Sequence, residues 1–158
     1  MTDDQIFSKN LLDVLNDTKF MTLATVCADG SPRATPLGWF AFDAGERRLV
    51  FDNRLGTVHA ENLARDSRCF ITIVNYDQDH SRSVNIKTVA HKLVGSEYDA
   101  AKKLILDRGL NVSDDIFAAP IGEVDMEKTQ VGFSYRKGNP RFYCYMIYEG
   151  AENDRILY

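Results

Sequence analysis

Residues 51–66, Phe51-Asp52-Asn53-Arg54-Leu55-Gly56-Thr57-Val58-His59-Ala60-Glu61-Asn62-Leu63-Ala64-Arg65-Asp66, carry a strand end into a helix start through a glycine and a threonine. The first turn of a helix leaves backbone N–H groups unpaired and carries the positive end of the helix dipole. An anion placed there is stabilised by geometry already present. Thr57 can add a hydroxyl donor and His59, two residues on, a cation. The same residues also suit a plain surface helix, in which Gly56 and Thr57 only cap the first turn and His59 points at water. On this stretch alone both readings stand.

Upstream, Arg48 to Asp52 reads as the strand that feeds this turn, with Asp43-Ala44-Gly45-Glu46 before it. Phe20 to Cys27 is rich in β-branched and apolar residues and runs into Ala28-Asp29-Gly30-Ser31-Pro32, an Asp-Gly hairpin signal. The return, Arg33 to Phe42, holds Pro36 and Gly38. Proline removes a ladder donor and suits an edge or a bulge, and glycine admits close backbone approach. Before all of these, Thr2 and Gln5 have capping-box spacing, and Phe7, Leu11, Val14 and Leu15 follow at helical intervals, which predicts an amphipathic helix over residues 3–16.

Downstream, Arg68 to Tyr76 reads as a buried strand. The polar link 77–82 leads to a long strand from Ser83 to Val94. Ser96 and Asp99 repeat the capping spacing ahead of Tyr98, Ala101, Leu104 and Ile105, predicting a helix from Glu97 to Arg108 that stops near Gly109. Residues 110–127 are mixed, with room for a short helix over Asp114 to Ala118. Strands over Thr129 to Arg136 and Arg141 to Tyr148 close the chain. Hairpin-linked strands with outer helices point to an antiparallel barrel or sandwich, since closure removes exposed edges.

The totals narrow the function. At 158 residues, with 44% apolar and 11% aromatic side chains, the chain fits one domain and can build a real core. The net charge is -4, with lysine and arginine spread along the chain, so there is no basic tract to neutralise many phosphates and nucleic acid is not an expected partner. Cys27, Cys69 and Cys144 are odd in number, far apart and set in strand-like runs, a usage that suits a reducing cytosol. No leader pattern opens the sequence and no apolar run approaches the ~20 residues that span a bilayer, so a cytoplasmic protein is expected. His80 and His91 stand in no metal-ligand spacing, and no metal site is expected.

Several short motifs occur in a telling order: Leu23-Ala24-Thr25-Val26, Ala28-Asp29-Gly30-Ser31-Pro32, Thr35-Pro36-Leu37 with Trp39, Phe51-Asp52-Asn53, Gly56-Thr57-Val58-His59-Ala60 and Asn62-Leu63. Over residues 5–95 they resemble the flavin-binding split-barrel family related to pyridoxamine 5'-phosphate oxidase, and the remainder follows loosely. The resemblance implies a mainly β fold: a six- to seven-stranded antiparallel split β-barrel with packed α-helices, one FMN-binding domain over residues 1–158. It also implies a homodimer with FMN in the groove between subunits. The flavin ring would lie against Thr35, Pro36, Leu37 and Trp39, where Trp39 would either stack near the ring or fill the barrel. Asp52 and Asn53 match positions near the ribityl chain or phosphate, Thr57, Val58 and His59 match the phosphate turn, and Ser83 lies on a strand contributing to the groove.

Two departures from the family pattern shape the expectation. The family often places lysine or arginine in the phosphate turn, where this chain has Val58 and His59, so Arg54 or Arg33 become candidates for the missing charge. The true oxidase ends in a segment with Trp and an Arg-Leu-His type motif, whereas this chain ends GAENDRILY, which disfavours pyridoxamine phosphate oxidation. The expected protein is thus an FMN flavoprotein, an oxidoreductase moving electrons from a reduced nicotinamide or similar donor to a small-molecule acceptor. No side chain is needed as acid or base, so no catalytic residue is named. The alternatives are a non-catalytic flavin-binding or stress-related protein, or a haem- or deazaflavin-binding relative with His59, His80 or His91 as haem ligand.

Overall fold

A computed structural model describes residues 18–76, 80–121, 130–137, 143–148 and 154–157, with side-chain surroundings given for residues 18–74 and 85–121. The helix expected over residues 3–16 lies outside the described residues. The fold is mainly β, as a split barrel requires: a seven-stranded antiparallel sheet packs against a four-stranded one. The strands are β1 (Met21–Val26), β2 (Pro32–Leu37), β3 (Phe40–Asp43), β4 (Arg48–Asn53), β5 (Arg68–Tyr76), β6 (His80–Val89), β7 (His91–Lys92), β8 (Asp115–Pro120), β9 (Gln130–Lys137), β10 (Tyr143–Tyr148) and β11 (Asp154–Leu157). Helices α1 (Val58–Arg65) and α2 (Gly95–Asp107) complete the described elements.

The larger sheet runs β11-β10-β9-β6-β5-β1-β2 and the smaller β3-β4-β8-β7. Two stretches that read as single long strands are each divided between the sheets. Residues 33–42 leave the large sheet after Leu37, turn through Gly38 and Trp39, and enter the small one at Phe40; residues 83–94 do the same at Ala90. Period-2 alternation cannot distinguish a straight strand from one that changes sheets, because the inward faces of both halves are apolar. The proline signal was sound: β2 is an edge strand, and Pro36 sits opposite Thr22 where a missing donor costs little. The close approach at Gly38 is to Phe20, whose ring would lie 3.2 Å from an added Cβ.

The Asp-Gly turn forms as the sequence indicates. Gly30 has φ of +83°, and Asp29 accepts from the Ser31 N–H at 3.0 Å and from its hydroxyl at 2.6 Å. In contrast, the short helix expected over Asp114 to Ala118 is strand β8. Its alanines and phenylalanine are buried on both faces between β4 and β7, so sheet pairing decides what local propensity left open. Phe51 and Phe117 are register partners, with ring centroids 6.3 Å apart. Helix α2 starts two residues before its expected first residue, at Gly95, and Val94 at its N-cap makes no side-chain cap bond.

The inner faces of the two sheets enclose Met21, Leu23, Leu37, Phe40, Leu49, Phe51, Ile71, Ile73, Ile86 and Phe117, with Leu63 of α1 in the same cluster. Burying each of these large side chains contributes about 1.5–3 kcal/mol. The other face of β4 packs on α2 through Val50, Ala101, Ile105, Ile116 and Ala118. Arg48, on that side, pairs with Asp43 at 3.1 Å and with Glu97 of α2 at 2.8 Å. At the far end of α2, Arg108 donates to the Phe40 carbonyl at 2.7 Å and the Thr18 carbonyl at 3.0 Å, its guanidinium 4.7 Å from the Phe40 ring centroid. No helix among the described residues is long and apolar enough to cross a membrane.

Candidate functional site

The site grows from the end of β4. Six successive buried residues, Arg48 to Asn53, make β4 the central support of the small sheet, and the chain then turns at Gly56, whose φ of +77° favours glycine. Thr57 is the N-cap of α1 and accepts from the Ala60 N–H at 3.4 Å. Its hydroxyl donates to the Arg54 carbonyl at 2.7 Å. His59 is buried and places Nε2 3.2 Å from Thr57 Oγ1. One turn later, Asn62 donates to Thr25 Oγ1 of β1 at 2.9 Å, fixing α1 over the end of the large sheet.

The surroundings of His59 work against its carrying a charge. Burial, and then the positive charge of Arg33, hold its pKa below the ordinary 6.5, while Asp52 works the other way. Burial and the Arg33 charge both favour the neutral ring. Of the two arginines proposed to supply charge, Arg33 is the one felt at His59. It lies opposite Thr25 in the β1–β2 ladder, and so on the sheet face that α1 covers.

Asp52 and Asn53 are both 2% exposed but differ in their partners. Asp52 accepts from the Ser113 N–H at 3.1 Å, the Ser113 hydroxyl at 2.7 Å and the Asp114 N–H at 3.3 Å, so both its oxygens are engaged by the loop before β8. Asp114 in turn accepts from the Leu55 N–H at 3.1 Å, which clamps the turn from outside. Asn53 Oδ1, in contrast, is buried without a partner among the described residues. An acceptor in that state fits a hydroxyl donor of a ligand such as a ribityl chain.

The other expected positions scatter more widely. Thr35 is half-buried opposite Leu23, Pro36 is exposed, and Leu37 belongs to the central core. Trp39 is 44% exposed, so it does not fill the barrel, and its carbonyl accepts from the Asp52 N–H at 2.9 Å, which brings it to the end of β4. Val58 is exposed at the first position of α1. Ser83 lies on β6 between Val74 and Ser134, and its side-chain surroundings are outside the described residues. Ser113 and Asp114 were missed: nothing in Asn111-Val112-Ser113-Asp114 signals that it will meet a turn some sixty residues earlier.

The described cavity of about 670 Å³ lies elsewhere, on the outer face of β1, β5 and β6, with Val26, Pro32, Phe70 and Lys87 among its lining. It reaches Thr25, to which Asn62 of α1 is bonded, but its lining includes none of Asn53, Thr57 and His59. Cys27 and Cys69 are both free thiols, and burial pushes Cys69 up to about 12, so it is not a thiolate at neutral pH. Among the described residues no cluster of His, Cys, Asp or Glu could hold a metal ion.

Comparison with solved structures shows the same fold at low identity. A haem-binding protein from Mycobacterium smegmatis is 23% identical with a TM-score of 0.62, the match covering 84% of this chain and 54% of that one. A NimC/NimA family protein from Clostridium acetobutylicum is 14% identical with a TM-score of 0.58, covering 89% and 91%. An F420 reductase is 18% identical with a TM-score of 0.54, covering 69% and 90%. No protein of curated function matches the sequence. The family described as pyridoxamine 5'-phosphate oxidase matches residues 7–125, which span β1 to β8 and the whole turn at the start of α1. The chain therefore belongs to the pyridoxamine 5'-phosphate oxidase family.

Proposed function

We propose that this protein binds FMN at the start of α1 and passes electrons from a reduced nicotinamide or similar donor to a small-molecule acceptor. The observation that carries the reading is the turn itself: in a chain of this family, a threonine-capped helix start follows Asn53, whose buried side-chain carbonyl has no partner among the described residues. The dipole and the leading N–H groups of the helix start suit a phosphate, and Asn53 suits a hydroxyl of the chain that joins phosphate to ring. Bound flavin would supply the redox chemistry, and the protein the binding and orientation. Thr57 and Asn53 would hold the phosphate and ribityl end, with Thr35, Pro36 and Trp39 toward the ring.

We further propose a homodimer that completes the groove. Phe20, Trp39, Phe70 and Val74 are exposed apolar side chains along β1 to β5 and the β2–β3 crossover, a surface that a second subunit would cover. A haem reading draws on the fold shared with the M. smegmatis haem-binding protein. It has less behind it, because His59 is buried and already bonded to Thr57 and His91 is exposed on the short edge strand β7, while the side-chain surroundings of His80, at the start of β6, lie outside the described residues.

The absorbance spectrum of the purified protein tests these readings together. A flavin spectrum, with FMN released on denaturation, supports the proposal. A colourless protein that takes up no added FMN defeats it, and a Soret band favours haem. Flavin bound without turnover of NADH or NADPH across varied acceptors would leave a non-catalytic flavin carrier.

A further inference from the structure

The turn between β4 and α1, residues 54–57, is held by hydrogen bonds rather than by packing. Leu55 is 62% exposed, and a Cβ added at Gly56 would meet nothing within 4 Å. The Thr57 hydroxyl ties the turn to itself through the Arg54 carbonyl. Among the described residues, one bond ties residues 54–56 to a distant part of the chain: the Leu55 N–H donates to Asp114 Oδ2 at 3.1 Å.

Asp114 is itself fixed from three sides. Its N–H donates to the buried Asp52 at 3.3 Å, and its carbonyl accepts from the Tyr98 hydroxyl of α2 at 3.0 Å. The next residue, Asp115, enters β8 opposite Asn53 and pairs with Lys92 of β7 at 2.9 Å. Ser113, one residue earlier, engages both oxygens of Asp52. A loop held in this way delivers one carboxylate oxygen to a turn with no packing of its own. The turn is thereby ordered before any ligand arrives, which lowers the entropy lost on binding.

We propose that Asp114 is a positioning residue for the anionic end of the ligand, acting through Leu55 to fix where Gly56 and the Thr57 cap stand relative to Asn53. The ligand part of this assignment rests on the flavin reading above. What Asp114 contributes is a placed acceptor and not its charge. A negative charge beside the turn would repel a phosphate, so position and charge predict opposite outcomes when Asp114 becomes asparagine, which keeps an acceptor oxygen.

The test uses the full-length wild-type chain and the variants Asp114→Ala and Asp114→Asn, with amide hydrogen exchange at Leu55 and titration of FMN and riboflavin. In the unliganded wild type the Leu55 amide is expected to be protected about tenfold or more over a free peptide, and Asp114→Ala to lose that protection. Asp114→Ala is expected to weaken FMN by about three- to tenfold and riboflavin by less than about twofold, with Asp114→Asn staying within about twofold of the wild type for both. An unprotected Leu55 amide in the wild type overturns the assignment even if Asp114→Ala does not fold. Equal weakening of FMN and riboflavin in Asp114→Ala overturns it as a general loss of structure, and tighter FMN binding in both variants overturns it in favour of charge; each leaves the flavin reading intact. A wild type that binds neither flavin defeats the flavin reading, and the ligand part of the assignment with it, whatever the exchange at Leu55.

Discussion

Asp52 and Asn53 are neighbours at the end of one strand, equally buried, and opposite in condition. Asp52 faces the side of β4 that α2 covers, and three donors from Ser113 and Asp114 engage it. Asn53 faces the other way, as strand alternation requires, and its carbonyl oxygen has no partner among the described residues. Burial alone does not separate a structural polar group from one kept for a ligand. The state of its hydrogen bonds does, because an unmet buried acceptor is costly and persists where something else uses it.

The largest effect that could break this contrast is in stability. Asp52→Ala strips the acceptor from three donors and is expected to cost about 2–3 kcal/mol in urea denaturation. Asn53→Ala removes an oxygen that has no partner among the described residues and is expected to cost under about 1 kcal/mol and, on the flavin reading, to weaken FMN binding. Equal losses from the two would erase the distinction. Next in size, Thr57→Ala removes the α1 cap and should cost about 1 kcal/mol.

A pH titration sharpens the contrast at the start of α1. His59 is held below 6.5 when folded and returns to about 6.5 when unfolded. As pH falls below about 6.5, the unfolded chain binds a proton that the folded chain refuses. Stability therefore drops until the folded pKa is reached. His59→Gln should lose that part of the slope; an identical acid limb in both proteins would show that His59 ionises freely. The smallest effect is expected at the surface. Arg68 holds the Asp66 carboxyl down at about 2, yet the pair is open to water, so Arg68→Ala should leave the denaturation midpoint at neutral pH unmoved.

Much of the fold was legible because its signals are local. The Asp29-Gly30 turn, the Thr57 cap and the apolar run of β5 each declare themselves within a few residues. What escaped depends on distant partners. Nothing near Gly38 or Ala90 says that the chain will change sheets there, and the alanines of β8 suit a helix until β4 and β7 flank them. The site divides in the same way. Thr57 could be read from its neighbours, but the neutrality of His59 needs burial and Arg33, and the engagement of Asp52 needs a loop from the far side of α2. The Leu37 side chain joins the core cluster of Leu23 and Phe51, a placement that only the packing of the two sheets decides.

Arg108 joins residues 68 and 90 positions apart in the chain through its bonds to Phe40 and Thr18. Closing loops of that length costs entropy before any contact returns it, and a side-chain tie of this kind is expected to form after the strands it joins have paired. Its removal should act on one limb of the kinetics alone. Arg108→Met is expected to unfold faster than the wild type in stopped-flow experiments and to refold at the same rate. On that outcome the guanidinium would be a latch, setting how long the folded barrel lasts and not how quickly it forms.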